Sequence, residues 1–301
     1  MKVWMVLVAA ALGCASGDDR GLISPNPDYK YVVSNLDMPA TPGAAQDIGF
    51  DLDGDPSARP DNHLGTILSQ IFAADIADMD AAADNLVASG DILHLLEVDA
   101  PSLEGQHAAD AALWVGRDDD GDPSDNFSGA EEFSIVVTGT ETLRGSVQMG
   151  RLQAGPGTLT VGLALPGGEA PLEIDLVAAH LDVMLDQDGA SGRLGGAITK
   201  ADVDEVLIPF VHSAIDRLVG LDCNGGECTP DSPGEFFLDL LDGNDDGLVS
   251  LGELRGHPLV EVLAKPDVDL FDADGALNPR QDGVADALSF AIALDAVGAR
   301  F

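Results

Sequence analysis

The spacing of hydrophobic positions changes along the chain and separates helical from extended regions. Between residues 47 and 90, apolar residues recur every three or four positions, which predicts two short helices. From residue 91 to residue 185 they alternate with polar residues, which predicts about six or seven short strands. The clearest alternations are Phe133, Ile135 and Val137; Leu159, Val161, Leu163 and Leu165; Leu172, Ile174 and Leu176; and Leu181, Val183 and Leu185.

A longer helix is predicted after this region. Thr199 and Asp202 have a spacing that resembles the capping box, and apolar residues then follow helical spacing as far as Leu218. Pro209 should kink this helix, because proline has no backbone N–H to donate. Residues 287–294 alternate again, like a strand that returns to the sheet. The pattern is typical of the α+β class, with an antiparallel β-sandwich-like body and short helices.

One segment, residues 242–253, has a spacing that indicates a specific chemistry. Calcium takes six to eight oxygen ligands, and a twelve-residue EF-hand loop supplies them at fixed positions. Gly247 lies where such a loop turns sharply, and Glu is scarce here, with 12 among 53 acidic residues, so a Glu at the closing position is informative. The alternative is an acidic turn without a ligand. The predicted ligands are Asp242, Asn244, Asp246, the carbonyl of Leu248, Ser250 and the bidentate Glu253.

The flanks of this loop limit the kind of calcium protein that it resembles. Residues 235–241 can form the entering helix, whereas the exit helix runs into Pro258 and must be short. The segment therefore resembles a single, clipped EF-hand, like those of dockerins and extracellular modules, rather than a paired cytosolic sensor. The complete fold expected is an antiparallel β-sandwich-like body with short helices and a C-terminal single EF-hand.

Further acidic clusters contain alternating carboxylates, which a calcium loop needs for its first three ligands. The cluster at Asp118 to Asp125 resembles thrombospondin type 3 repeats. The cluster at Asp269 to Asp274 is not a second EF-hand, because Leu270 occupies the place of the first ligand, but it could hold an ion in another geometry. A solvated turn without an ion is the alternative for each cluster. The candidate ligands are Asp51, Asp53 and Asp55; Asp118, Asp120, Asp122 and Asp125; and Asp269, Asp272 and Asp274.

The N-terminus has the pattern of an exported protein. Lys2, an apolar run over residues 3–12 and small residues before Cys14 predict a signal peptide at residues 1–13, too short to span a bilayer. Residues 11–14 resemble the bacterial lipobox, and this resemblance implies lipid attachment at Cys14. We therefore expect a lipid-anchored protein of the bacterial cell envelope or cell surface, with ordinary secretion as the alternative. Residues 14–46 are predicted to be a tether, to which residues 29–33 could add an edge strand.

The remaining two cysteines and the domain boundaries fit the same compartment. Cys223 and Cys228 lie five positions apart across a Gly-Gly turn, which predicts a disulfide, with two unpaired thiols as the alternative. We divide the rest of the chain into residues 47–198, with short helices and a β-rich body, and residues 199–301. The second part would hold the long helix, the disulfide turn, the EF-hand loop and the closing strand.

The charge of the chain excludes some partners. Fourteen basic and 53 acidic residues give a net charge of −39, which excludes a nucleic-acid-binding surface and makes anionic lipids poor partners. Any membrane contact must then come from the lipid anchor. Divalent cations would screen the repulsion between carboxylates, and a halophile's acidic surface is the alternative explanation.

The sequence gives little support for an enzyme. It contains no G-x-S-x-G, no H-E-x-x-H and no phosphate-binding glycine loop, and its six histidines are scattered. The scarcity of Trp and Tyr, two of each, argues against a carbohydrate cleft. A calcium-stabilised secreted hydrolase with a carboxylate active site and a dockerin-like interaction module remain as alternatives.

Several segments together resemble exported lipoproteins of myxobacteria and related bacteria. They are the lipobox-like start, residues 50–54 with Asp61 and Asn62, residues 194–198, the Asp222-Cys223 turn, and residues 267–275 and 282–286. This resemblance implies no activity or partner. The sequence thus predicts an exported calcium-binding protein with a structural or adhesive role, whose protein or surface partner is left open.

Overall fold

The computed structural model of the protein describes residues 28–55, 60–73, 79–137, 141–163, 171–224, 227–280 and 282–301. Its strands are β1 (Asp28–Asp37), β2 (His94–Asp99), β3 (Gln106–Asp118), β4 (Phe133–Val137), β5 (Leu143–Gln148), β6 (Arg151–Leu163), β7 (Leu172–Leu185), β8 (Gly189–Thr199), β9 (Cys223–Asn224), β10 (Glu227–Cys228) and β11 (Ala287–Gly298). Its helices are α1 (Pro42–Ile48), α2 (His63–Ala73), α3 (Met79–Ala88), α4 (Lys200–Asp202), α5 (Ile208–Asp222), α6 (Pro233–Leu241), α7 (Leu251–Gly256) and α8 (Pro258–Leu263).

The long strands form one closed antiparallel barrel. Around the barrel the order is β2-β1-β11-β8-β7-β6-β5-β3, and β3 pairs back with β2 to close the ring. β4 adds an extra strand to the end of β3, where Asp118 lies opposite Phe133. The last strand, β11, lies between β1 and β8, so residues from both ends of the described chain complete the wall.

The prediction of a β-sandwich-like body with a C-terminal EF-hand is therefore wrong. Alternating apolar and polar residues are required by a sandwich and by a barrel alike, because both bury one face of every strand. The difference lies in the β2–β3 pairing, for example Leu96 opposite Leu113, which removes the free edges that a sandwich would keep. The acidic loop at residues 242–253 is not a C-terminal unit either, because the chain returns from it into the barrel as β11.

The interior of the barrel is the main hydrophobic core. Along β1, Tyr31 and Val33 belong to this core, whereas Val32 between them packs in a separate cluster on the outer side. Burial of each large apolar side chain stabilises the fold by about 1.5 to 3 kcal/mol. The largest fully buried side chains include Leu96, Leu113, Leu152, Leu159, Leu176, Leu181, Leu194 and Phe290. Helices α2, α3, α5, α6 and α7 each add one or more buried side chains to the same core.

Two smaller clusters lie on the outside of the wall and attach loops to it. In one, Leu52 packs with Val268 and Leu270 against alanines of β7, β8 and β11. In the other, Phe127 packs with Leu93, Leu95 and other residues beside β1 and β2. Each of these loops is therefore held against the barrel by an apolar side chain.

Several local predictions can be compared directly with the structure. Asp202 N–H donates to Thr199 Oγ1 at 3.1 Å, which confirms the predicted cap. Pro209 lies in the first turn of α5, and a π-helical turn over Val203–Leu207 precedes it. This irregularity lies directly before the position of the predicted kink, since proline cannot donate the hydrogen bond that a regular turn needs.

The start of the described chain corrects the predicted tether. Residues 28–48 form β1 and α1, and β1 is an interior strand of the wall rather than an edge strand. The predicted signal peptide at residues 1–13 and the predicted lipidation site Cys14 lie outside the described residues. None of the helices that the structure describes is long and apolar enough to cross a membrane.

Candidate metal sites

The candidate ligands of the sequence fall in four acidic loops on the surface of the barrel and its helices. We call them the first loop (residues 51–61), the second loop (118–131), the third loop (242–253) and the fourth loop (267–286). Each loop has an apolar anchor that packs into a hydrophobic cluster, and these anchors are Leu52, Phe127, Val249 and Leu270.

The first loop brings three carboxylates together. Carboxylate oxygens of Asp51, Asp53 and Asp61 all lie within 4.8 Å of one another. Asp61 reaches this position through an antiparallel bridge with Phe50, and its Oδ2 accepts the N–H of Leu52 at 2.9 Å. Of the three residues predicted here, Asp51 and Asp53 belong to the triad.

The third predicted residue of this loop, Asp55, points elsewhere. Its carboxylate lies 3.7 Å from the guanidinium of Arg280, in the fourth loop. Asp61 takes the place of Asp55 in the triad. Asp61 was not predicted as a ligand, because it is ten positions from Asp51 along the chain. The signal that could have found it is the Asp61-Asn62 pair, which the second loop repeats as Asp125-Asn126.

The environment of Asp61 disfavours its negative charge. The pKa of Asp61 is raised to about 6, mainly by burial; the hydrogen bond from the Leu52 N–H lowers it, and the charges of Asp53, Asp267 and Asp51 add to the rise. A divalent cation between these carboxylates would oppose the same repulsion.

Asn62 fixes the end of the first loop to the barrel. It is 3% exposed, and its Nδ2 donates to the carbonyls of Ala45 and Ala291 at 2.9 and 3.0 Å. Its Oδ1 accepts the N–H groups of Gly65 and Ala291 at 3.1 and 2.9 Å. All four hydrogen-bonding positions of the amide are therefore used, which holds the neighbouring Asp61 in place.

The second loop forms a similar triad. Carboxylate oxygens of Asp118, Asp120 and Glu131 lie within 4.8 Å of one another. Asp118 ends β3 opposite Phe133, so continuation of this antiparallel register places Asp120 across from Glu131. Asp118 Oδ1 also accepts the N–H groups of Asp120 and Gly121, at 3.0 and 3.1 Å.

The other two residues predicted in the second loop are not in its triad. Asp122 Oδ1 accepts from the hydroxyl and the N–H of Ser124 at 2.7 and 3.1 Å, and these bonds lower the pKa of Asp122. Asp125 accepts the N–H of Ser128 with its backbone carbonyl. Glu131 was missed, because only the β3–β4 pairing shows that it returns to Asp120.

The third loop joins α6 to α7 and is closed by its own hydrogen bonds. Gly247 has a φ of 82°, the left-handed conformation that the predicted turn requires. Asp242 accepts the N–H groups of Gly247 and Asp246 at 2.7 and 3.2 Å, and Asp246 accepts that of Leu248 at 3.0 Å. Glu253 Oε1 accepts the N–H of Gly243 at 3.1 Å, so the last residue of the loop folds back to its start.

The end of the third loop is also a helix cap. Ser250 and Glu253 form a capping box at α7, and the bond from the Ser250 N–H is the largest of the influences that lower the pKa of Glu253. The carbonyl of the buried Val249 lies 2.7 Å from Nε2 of His212 in α5. Asn244 and Leu248 are exposed in the loop. No third carboxylate joins Asp242 and Glu253 within 4.8 Å among the residues described here.

The fourth loop separates its three predicted ligands. Asp272 Oδ1 accepts the N–H groups of Asp274 and Ala276 at 3.0 Å each, and the N–H of Ala276 lowers the pKa of Asp272 most. Asp274 is exposed, whereas Asp269 is 8% exposed and lies at the base of the loop. The loop therefore contains a surface turn and a separate buried carboxylate.

The two alternative functions, a hydrolase and a dockerin-like module, would each need a particular surface. A cavity of about 150 Å³ between the barrel and α2, α5 and α8 has apolar lining residues throughout, whereas an open cleft of about 770 Å³ beside the third loop is lined by carboxylates that include Asp216, Glu235 and Asp239. His94 is buried, its Nε2 accepts the N–H of Gly162 at 3.0 Å, and burial lowers its pKa to about 4. Near the third loop, Phe236 and Leu248 are exposed, as a dockerin-like surface would need.

The disulfide prediction is confirmed, since Cys223 and Cys228 are bonded across the β9–β10 hairpin.

Comparisons of the chain with family models, curated proteins and solved structures find no match. The assignment of a function therefore depends on the geometry of the loops.

Proposed function

We propose that this protein binds calcium through its acidic surface loops. The observation that supports this most directly is the convergence of three carboxylates in the first loop and three in the second. Both triads combine an Asp-x-Asp pair with an acidic residue that the fold brings back from further along the chain. The third loop, with Asp242 and Glu253 as its end ligands, is proposed as an additional site on the basis of its ligand spacing.

The ligand chemistry favours calcium over transition metals. The triads contain carboxylate oxygens and neither a thiolate nor an imidazole, and oxygen-only sites suit calcium and magnesium rather than zinc or copper. Calcium accepts more ligands and more variable geometry than magnesium, which fits exposed loops that also carry backbone carbonyls.

Calcium in this role is a folding ligand rather than a switch. Extracellular modules bind it with dissociation constants of about 10⁻⁴ to 10⁻³ M. At millimolar calcium one such site stabilises the folded state by about 0.4 to 1.4 kcal/mol, and several sites act together.

We also propose export and a lipid anchor at Cys14, with a structural or adhesive role at the bacterial cell surface. The disulfide between Cys223 and Cys228 supports an oxidising compartment. Expression with labelled fatty acid tests the anchor, because wild type should take up the label and Cys14→Ala should not. Equal labelling of the two would exclude lipidation at Cys14.

Thermal unfolding with and without cations tests the calcium sites. The wild type would be unfolded in chelator, in millimolar calcium, in equal magnesium and in sodium chloride of matched ionic strength. Three variants remove one carboxylate per loop: Asp61→Asn, Glu131→Gln and Glu253→Gln. Glu173→Gln, an exposed carboxylate of β7, is the matched control for the loss of one charge.

We expect calcium to raise the midpoint more than magnesium or sodium does, and each loop variant to lose part of that rise. Glu173→Gln should keep it. If sodium chloride stabilises the protein as much as calcium does and the loop variants behave like the control, the acidity is a halophile-type surface and the proposal is wrong.

A further inference from the structure

The strongest additional signal for a ligand is a buried carboxylate oxygen in the fourth loop. Asp269 is 8% exposed, and its Oδ1 is inaccessible to solvent and has no hydrogen-bond partner among the described residues. Buried polar atoms are nearly always paired, and an ionised carboxylate is among the costliest groups to leave without a partner. The unpaired oxygen therefore needs an explanation.

The side chain of Asp269 points into the fourth loop. Its other oxygen, Oδ2, accepts the N–H of Gly283 at 2.7 Å, and its carbonyl accepts the N–H of Arg280 at 3.0 Å. The residues on either side, Val268 and Leu270, are fully buried in the cluster on the outer wall of the barrel. The carboxylate thus lies between the two ends of the loop, with the barrel on one side.

Among the described residues, the cation nearest along the loop, Arg280, does not neutralise this carboxylate. Arg280 is held to Asp269 only by its backbone, while its guanidinium donates to the carbonyl of Gly54 at 2.8 Å and lies 3.7 Å from Asp55. A bound cation would supply the missing partner and the missing charge.

Two further acidic residues belong to the segment that hydrogen-bonds to residues 269–271. Asp286 accepts the N–H groups of Leu270 and Phe271 at 3.1 and 3.0 Å, directly after Asp269. Asp282 precedes Gly283, whose N–H binds Asp269, and its own Oδ1 accepts the N–H of Val284. Through these bonds, residues near both ends of the fourth loop are held next to Asp269, although the three carboxylates do not form a triad within 4.8 Å like those of the first and second loops.

We infer that Asp269, through its unpaired Oδ1, is the anchoring ligand of a calcium site at the neck of the fourth loop. Asp272 and Asp274, which the sequence grouped with Asp269, belong to the outer turn and not to this site. The inference shares with the proposed function only the identity of the ion. It concerns a different loop, and counting the ions lost in each variant distinguishes its failure from failure of the two triads.

Counting bound ions in the full mature chain tests the inference. Native mass spectrometry with calcium as the only added divalent ion would compare wild type with Asp269→Asn, which keeps the shape and removes the charge. Asp274→Asn is the matched control, with the same change on the exposed turn of the same loop. We expect Asp269→Asn to lose one calcium ion per chain and Asp274→Asn to lose none.

The thermal midpoint gives a second readout that a merely structural role would not produce. In chelator, Asp269→Asn should unfold at a higher temperature than wild type, because the uncompensated charge is gone. In millimolar calcium the order should reverse, because only wild type gains the ion at this site. A variant that is less stable in both conditions and still binds every calcium ion would overturn the inference.

Hydrogen exchange of the wild type needs no variant and covers the case in which Asp269→Asn does not fold. Calcium, compared with magnesium, should slow exchange in peptides that contain residues 267–271 and 282–286. Unchanged exchange there would also overturn the inference. Loss of an ion in Asp269→Asn without any loss in Asp61→Asn or Glu131→Gln would support this site and reject the triads.

Discussion

Asn62 offers a demanding test of how the first loop is attached to the barrel. It is the residue after Asp61, and its side-chain amide bridges α1, α2 and β11 by four hydrogen bonds. The Asn62→Ala substitution removes all four bonds and opens a space in a region that excludes water. Because Asp61 depends on this attachment, the same change should also disturb the first carboxylate triad.

The expected loss follows from the groups that remain. The carbonyls of Ala45 and Ala291 and the N–H groups of Gly65 and Ala291 lie on buried residues and would each lose a partner. A hydrogen bond contributes about 1 kcal/mol, and a buried group left unpaired costs about 1 to 3 kcal/mol. Since the site can relax and admit some water, we expect Asn62→Ala to lower the free energy of unfolding by about 3 to 4 kcal/mol.

Asn126 provides the matched control. It occupies the same place after the Asp of the second loop and is fully buried, yet neither amide atom has a partner among the described residues. Removing it loses packing but also removes two unsatisfied atoms, so Asn126→Ala should cost about 1 kcal/mol or less. Urea unfolding of both variants measures the difference. Losses equal to within about 1 kcal/mol would refute the assignment of the stabilisation to the hydrogen bonds of Asn62.

Three further outcomes are expected. The pKa of Asp61 is raised from 3.8 to about 6. In chelator, the free energy of unfolding of wild type should therefore rise relative to that of Asp61→Asn as the pH falls from about 7 to 5. A difference between the two proteins that stays the same at every pH, measured by urea unfolding, would contradict this. Gly65→Ala should destabilise the protein although alanine favours helices, because the new Cβ would lie 2.5 Å from Oδ1 of Asn62. In the double variant with Asn62→Ala, the two losses of unfolding free energy should be less than additive in the same assay. Replacing Cys223 and Cys228 by alanine should cost about 2 kcal/mol by loop entropy, and an unchanged urea midpoint would contradict it.

Local structure was predictable from the sequence where the spacing of apolar residues alone determines it. The alternation at Leu159, Val161 and Leu163 and at Leu181, Val183 and Leu185 corresponds to buried positions of β6 and β7. Closure of the barrel was not predictable in this way. It depends on the pairing of β2 with β3, and alternation states which face of a strand is buried but not which strand is its neighbour.

The candidate sites show the same division. Asp51 and Asp53, and likewise Asp118 and Asp120, are two positions apart, and this alternation identified them as potential ligands. Asp61 and Glu131 complete the triads only because a bridge at Phe50 and the β3–β4 register bring them back. Contacts of this kind belong to the tertiary structure, which periodicity and spacing do not encode.

The attachment of the acidic loops explains how ion binding could influence the whole fold. Leu52 and Leu270 lie beside the proposed ligands Asp51, Asp53 and Asp269, and both are buried in one cluster against the outer wall of the barrel. A cation that holds these carboxylates must also hold the neighbouring apolar side chains in the cluster. Conversely, loss of the cation leaves like charges that push the loops from the wall. The free energy of binding is therefore coupled to burial of this outer cluster, so the Asp61→Asn and Asp269→Asn variants should not be independent in the thermal assay.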